Sequence, residues 1–171
     1  MKAPVISLVA YSGTGKTTFL EKLLPCLRAL GLRTAVIKHD GHDFQMDTPG
    51  TDTFRLAKAG AGAVAIVSSG NFALLEQRGP SVEEIAGMLK HTDLILTEGF
   101  KRGPYPKIAL YRAGSGLPLA VEPEACLAVA ADVPIQASCP VFPLSDAKPL
   151  AEFLAELVKG KQEETSHADH C

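Results

Sequence analysis

A three-layer α/β fold, with a mostly parallel sheet covered by helices on both faces, is the architecture this sequence predicts. Short apolar runs alternate with stretches of helical periodicity along the chain, and parallel strands need crossovers of that kind. The first run, Val5-Ile6-Ser7-Leu8-Val9, also leads through a glycine-rich turn directly into a helix. With 171 residues, 46% hydrophobic and 21% charged, the chain suits one soluble domain with a substantial core. No internal repeat and no long linker divides it.

The elements follow in order. Val5 to Val9 reads as a buried strand. Between Lys16 and Leu30, the residues Phe19, Leu20, Leu23, Leu24, Leu27 and Leu30 recur with helical spacing, and Gly31 supplies a stop. Pro25 is expected to kink that helix. Arg33 to Lys38 is a second strand, followed by the polar stretch HDGHDFQMDTPG. A helix over Thr51 to Ala59, ending at Gly60, precedes strands at Ala63 to Val67 and Phe72 to Glu76. Ser81 with Glu84 three residues on forms a capping box for a helix reaching about Lys90. Leu94-Ile95-Leu96, Ile108 to Tyr111 and Cys126 to Ala131 add strands, and Leu150 to Val158 is an amphipathic closing helix. The tail after Gly160 has no periodicity and is expected to fray.

Bulk properties exclude several classes. The net charge is −2, so no global field draws the chain to nucleic acid or anionic lipid, and any phosphate site must be local. No apolar run has the roughly 18 residues of a membrane helix. The start, MKAPVISLVA, is a short apolar run that leads into SGTGKTT rather than a cleavage site. Four cysteines, Cys26, Cys126, Cys139 and Cys171, are scattered without C-x-x-C spacing. They suit a reducing compartment better than a disulfide framework. A cytoplasmic location is expected.

The stretch VAYSGTGKTTF has the order strand, glycine turn, Lys-Thr, helix that a phosphate-binding loop requires. Glycines let backbone N–H groups converge on a phosphate, and the helix directs its positive end to the same place. Lys16 can reach β- and γ-phosphates, and the Thr17 hydroxyl can ligate Mg²⁺. Ala10 stands where the common pattern has glycine. Residues 1–160 are therefore expected to form a single nucleotide-binding domain of the P-loop NTPase type, with 161–171 as a flexible tail.

Ligands of a parallel sheet sit at the carboxyl ends of its strands. In DLILTEGFK, Asp93 precedes the apolar run and Glu98 follows it, about 16 Å apart at ~3.3 Å per residue. Only Glu98 shares an edge with Lys16, so Glu98 is assigned to the magnesium or its bound water. The second strand delivers His39, Asp40, His42 and Asp43 to that edge. These could position an attacking water, contact the γ-phosphate or bind a metal ion, although no cysteine stands near to complete a zinc set. His167, His170 and Cys171 are a second, weaker chelating group in the tail.

Four blocks, AYSGTGKTTFLEKLLP, VIKHDGHDF, DTPGTDTFRLAKAGA and LILTEGFKR, resemble those of the MobB family of molybdopterin-guanine dinucleotide biosynthesis proteins, in the same order. The resemblance spans about Val5 to Asp146 and includes alanine at position 10. It implies a homodimeric GTP-binding adaptor with weak GTPase activity. Its implied partners are a MobA-type molybdopterin guanylyltransferase and molybdopterin. It also implies phosphate contacts from the loop (Ser12, Gly13, Thr14, Gly15, Lys16, Thr17, Thr18), Mg²⁺ at Thr17 and Glu98, and contributions from Asp52 and Arg55. Lys16, Glu98, His39 and Asp43 are the candidates for chemistry on the nucleotide.

The Asn-Lys-x-Asp motif that reads guanine is absent, since the one asparagine, Asn71, precedes Phe72. Asp132 and Asp146 both follow apolar segments on the ligand side. Asp132 is the preferred base reader, with an ordinary loop aspartate as the alternative. An ATP-dependent small-molecule kinase is the competing class, with Arg102 and Arg112 as candidate lid residues. No arginine finger is evident, which favours slow hydrolysis, because such a group supplies on the order of 10³ to 10⁵ in rate.

Overall fold

The computed structural model describes residues 3–40 and 44–168, which divide into two compact units. One runs to His39 and resumes at Ile85; the other is residues 40–84. Along the chain stand β1 (Val5–Val9), α1 (Lys16–Ala29), β2 (Thr34–Lys38), α2 (Asp52–Lys58), β3 (Ala63–Val67) and β4 (Phe72–Glu76). Then come α3 (Val82–Met88), β5 (Leu94–Glu98), β6 (Lys107–Tyr111), β7 (Cys126–Ala131), β8 (Val141–Pro143) and α4 (Lys148–Ala168).

The larger unit is built on a six-stranded sheet in the order β2-β5-β1-β6-β7-β8, every pair parallel. Strand alternation sorts its two faces. Ile6 and Leu8, Leu94 and Leu96, Ile108 and Leu110, and Ala128 and Ala130 share one cluster with Phe19, Leu20, Leu23 and Leu27 of α1 and Leu150, Leu154 and Val158 of α4. Burying each leucine there stabilises the fold by about 1.5–3 kcal/mol. The alternate residues Val9, Ala109, Val129 and Ala131 form a smaller cluster with Leu119, Val121, Ile135 and Cys139. At its centre the sheet buries two hydroxyls, Ser7 Oγ and Thr97 Oγ1, which are paired in register and bonded to each other at 2.7 Å. Either one alone would be a costly orphan.

Three differences from the sequence reading have local causes. Helix α1 continues through Pro25, which supplies no N–H to the ladder, because Leu23 and Leu27 on either side are fully buried. Helix α4 extends at both ends and passes Gly160 as far as Ala168. A glycine costs a helix only about 1 kcal/mol, and KQEE after it are good helix formers. Strand β8 escaped notice because it is three residues long and bounded by Pro140 and Pro143. The region past 168 lies outside the described residues.

In the smaller unit, β3 and β4 pair with each other, antiparallel, and not with the parallel sheet. The link from Val67 to Phe72 is too short for a parallel crossover, and Ser68 N–H closes it on the Asn71 carbonyl at 2.8 Å. Thr51 caps α2 by accepting from Phe54 N. The capping box forms as expected: Glu84 N–H donates to Ser81 Oγ (3.1 Å) and Ser81 N–H to Glu84 Oε2 (2.8 Å). That second bond, with help from Arg78, holds the Glu84 carboxyl below its ordinary range.

Candidate functional site: a cationic loop at the carboxyl edge of the sheet

Strand β1 ends at Val9, and the chain turns through residues 10–15 into α1. Gly13 (φ +80°) and Gly15 (φ +94°) occupy the left-handed region, which side chains resist. Gly15 is the N-cap of α1 and offers no side-chain cap, and the first turn holds no acidic residue. The leading N–H groups of the helix are thus left for an anion. No atom lies within 4 Å of the open side of Gly13, while the Thr14 hydroxyl is buried without a partner. Ser12, Thr17 and Thr18 are exposed around the same turn.

Three cations surround this loop. Lys16 Nζ folds back to donate to the carbonyl oxygens of Ala10 (3.3 Å) and Tyr11 (3.1 Å). Lys101 Nζ sits 3.8 Å from the centroid of the Tyr11 ring. Burial, and then the charge of Lys16, push the Lys101 pKa below that of an ordinary lysine. Arg112 Nε donates to the Thr14 carbonyl at 3.2 Å. Among the described residues none of the three forms an ion pair. Net charge gave no hint of so local a cluster. Lys101 and Arg112 both belong to the stretch EGFKRGPYPKIALYR, which is basic enough to contact a phosphate or an anionic pterin but short for a lid. The available signal was alternation, which puts position 112 on the same side of the sheet as Ile108 and Leu110, the side of α1.

The same alternation places Glu98 with Leu94 and Leu96 toward α1, where Thr17 Oγ1 donates to Glu98 Oε1 at 3.1 Å. A hydroxyl and a carboxylate are hard oxygen donors suited to Mg²⁺, which takes few protein ligands and completes its octahedron with phosphates and water. Among the described residues no group of three or more His, Cys, Asp or Glu side chains gathers. Asp93 stands at the other end of β5, as strand polarity requires. Its carboxylate accepts from Arg33 N, Nε and Nη2 at 2.8–2.9 Å, which holds its pKa below the ordinary aspartate value.

Beyond Glu98, Gly99 (φ +100°) donates its N–H to Leu8 O, and Phe100 (φ +52°) is the one non-glycine residue at positive φ among those described. His39 N–H donates to Glu98 O at 3.0 Å, and its ring meets Phe100 edge-on with centroids 4.8 Å apart. His39 therefore lies at the carboxyl edge beside Glu98. Gly41, His42 and Asp43 lie outside the described residues.

Other candidates are engaged locally. Asp52 and Arg55, in the smaller unit, form a well-exposed pair with each other at 3.4 Å. Asp132 Oδ1 accepts from Ala113 N at 2.8 Å, holding the 3-10 turn over Ala113–Ser115 that follows β6. Asp146 Oδ1 accepts from Lys148 N at the start of α4.

Comparison with known proteins gives a consistent picture. The family model for molybdopterin guanine dinucleotide synthesis protein B, MobB, matches residues 5–132. The Escherichia coli (strain K12) molybdopterin-guanine dinucleotide biosynthesis adapter protein is 39% identical over 163 residues, covering 90% of this chain and 92% of its own. Its Haemophilus influenzae counterpart is 36% identical over 155 residues, covering 88% and 87%. The crystal structure of Bacillus subtilis MobB superimposes with a TM-score of 0.68 at 28% identity, over 92% of this chain and 96% of that one. With a matching family model across most of its length and these relatives over nearly all of it, the chain belongs to the MobB family.

Proposed function

We propose that this protein binds GTP with Mg²⁺ at its Gly13–Thr18 loop and serves as an adapter in molybdopterin guanine dinucleotide biosynthesis, hydrolysing GTP slowly. The observation that carries the nucleotide reading is the Thr17–Glu98 contact beside a helix start left without a side-chain cap. A phosphate chain would take the N–H groups of Gly15 to Thr18, with Lys16 exchanging its two carbonyl acceptors for phosphate oxygens. Thr17 and Glu98 would hold Mg²⁺, which when bound neutralises phosphate charge. His39, at the same edge, is placed to act on the nucleotide or an approaching water. The adapter role rests on the names its relatives carry. In that role its partners are a MobA-type guanylyltransferase and molybdopterin, and a homodimer is the working assembly.

Calorimetric titration with GTP and with ATP, with and without Mg²⁺, tests the reading, with Lys16→Ala as control. Magnesium-dependent GTP binding that ATP does not match, lost in the variant, is the expected result. Equal or tighter ATP binding would replace this reading with that of a small-molecule kinase. Turnover of GTP by the isolated protein near 1 s⁻¹, within the usual range for enzymes, would overturn the slow-hydrolysis part.

A further inference from the structure

Arg112 is exposed, yet its position is fixed at both backbone and side chain. Its carbonyl accepts from Ser115 Oγ (2.7 Å) and Ser115 N (3.0 Å), and the next residue, Ala113, gives its N–H to Asp132 Oδ1. The side chain then reaches 98 residues back along the sequence to Thr14 O. One terminal nitrogen, Nη2, lies 3.3 Å from where a Cβ on Gly15 would stand. Position 15 therefore suits glycine for two separate reasons, its φ and the space the guanidinium fills.

This placement is electrostatically unfavourable in the bare protein. The guanidinium adjoins the positive end of α1, beside Gly15, with no carboxylate paired to it among the described residues. Holding the Thr14 carbonyl uses one of its five N–H donors, a task any neutral donor could perform. A planar fork of N–H groups beside a phosphate-binding turn is suited to phosphate oxygens.

We infer that Arg112 is a phosphate-binding residue, anchored through Nε to Thr14 O so that its terminal N–H groups serve the nucleotide phosphates. Asp132 is the positioning residue that fixes the turn carrying it. The inference rests on the proposed reading of the loop and adds a cation from β6 to the contacts the loop itself supplies. It gives Asp132 a role in placing Arg112 and not in reading the base.

The test uses the full chain with GTP, ATP and inorganic tripolyphosphate, each titrated in Mg²⁺ into wild type, Arg112→Ala and Asp132→Ala. Thermal melting confirms that each variant folds. Arg112→Ala is expected to weaken GTP and tripolyphosphate by about 10- to 100-fold, the range for a hydrogen bond to a charged group. Asp132→Ala is expected to weaken GTP and ATP by a similar, smaller factor, leaving their ratio as in wild type. Tripolyphosphate has no base, so an Arg112 effect on it supports the inference even if the protein prefers ATP and the GTP reading fails. Unchanged tripolyphosphate affinity in Arg112→Ala would overturn it, as would a wild type that binds neither GTP nor tripolyphosphate. A collapse of the GTP-to-ATP ratio in Asp132→Ala would return Asp132 to the base.

Discussion

The two ends of β5 carry a carboxylate each, and the protein treats them in opposite ways. At the amino end, Asp93 meets Arg33 in a fork of side-chain bonds reinforced by the backbone N–H of Arg33. Charge and donors are matched there. At the carboxyl end, among the described residues, the Glu98 carboxylate meets a threonine hydroxyl and no cation, while Lys16, Lys101 and Arg112 bond to carbonyl oxygens or an aromatic face. Charge there is left unmatched. The first arrangement stabilises the fold; the second forgoes such pairing, as the proposed phosphate site would require. The lowered pKa of Asp93 is thus the mark of a structural ion pair, which perturbs a carboxylate as readily as a functional site does.

The sharpest way to break this contrast is at Glu98. Glu98→Ala should reduce GTP affinity in Mg²⁺ by about 10- to 100-fold and leave the Mg²⁺-free affinity nearly as it was. Calorimetry with and without the metal reads the difference; an equal loss in both conditions would remove Glu98 from the metal site. Next in size is Gly15→Ala, which forces a Cβ into positive φ and toward the Arg112 guanidinium. A loss of roughly 1–2 kcal/mol in urea unfolding, together with weaker nucleotide binding, is expected.

At the matched end, Asp93→Asn should cost about 1 kcal/mol of stability and leave nucleotide affinity unchanged. The sign of its pH dependence follows from the lowered carboxyl pKa. The contribution is complete above the ordinary aspartate value near 4 and is lost as pH falls through the lower folded value. Wild type and variant should therefore converge in urea midpoint at acid pH. A gap that does not narrow as pH falls below the ordinary aspartate value would contradict that origin.

The smallest effect belongs to Lys101, whose pKa is lowered by burial and by Lys16. Between that lowered value and the ordinary lysine value near 10.4, the folded protein binds fewer protons than the unfolded, so stability rises with pH. A bound phosphate favours the charged form again, so nucleotide binding just below the ordinary lysine value should take up a fraction of a proton. Calorimetry in two buffers of different ionisation enthalpy measures it, and Lys101→Met should abolish the uptake.

Much of this was legible in the sequence because it is local or directional. The β1–turn–α1 unit lies within residues 5–29, and strand polarity alone separated Glu98 from Asp93. The Ser81–Glu84 box was readable from a spacing of three. Arg112 at the loop was not readable as such, since its acceptor is Thr14, and only the β1–β6 pairing brings the two together. The place of Asp132 at the end of β7 was readable from the sequence, while its bond to Ala113 depends on β6 being the neighbour. Strands β3 and β4 were found as strands, but periodicity does not say which strand pairs with which.

The central strand has a consequence for how the protein is made. Both neighbours of β1 come late: Val5 lies against Ile95, and Ser7 against Lys107. At synthesis rates of about 5–20 residues per second, β1 waits on the order of ten seconds with its apolar flanks unpartnered. Pairing so distant in sequence is slow to close even in a complete chain. The turn over residues 10–15, though written within the first eighteen residues, has a strand on both sides of β1 to rest on only once residues 107–109 have been made.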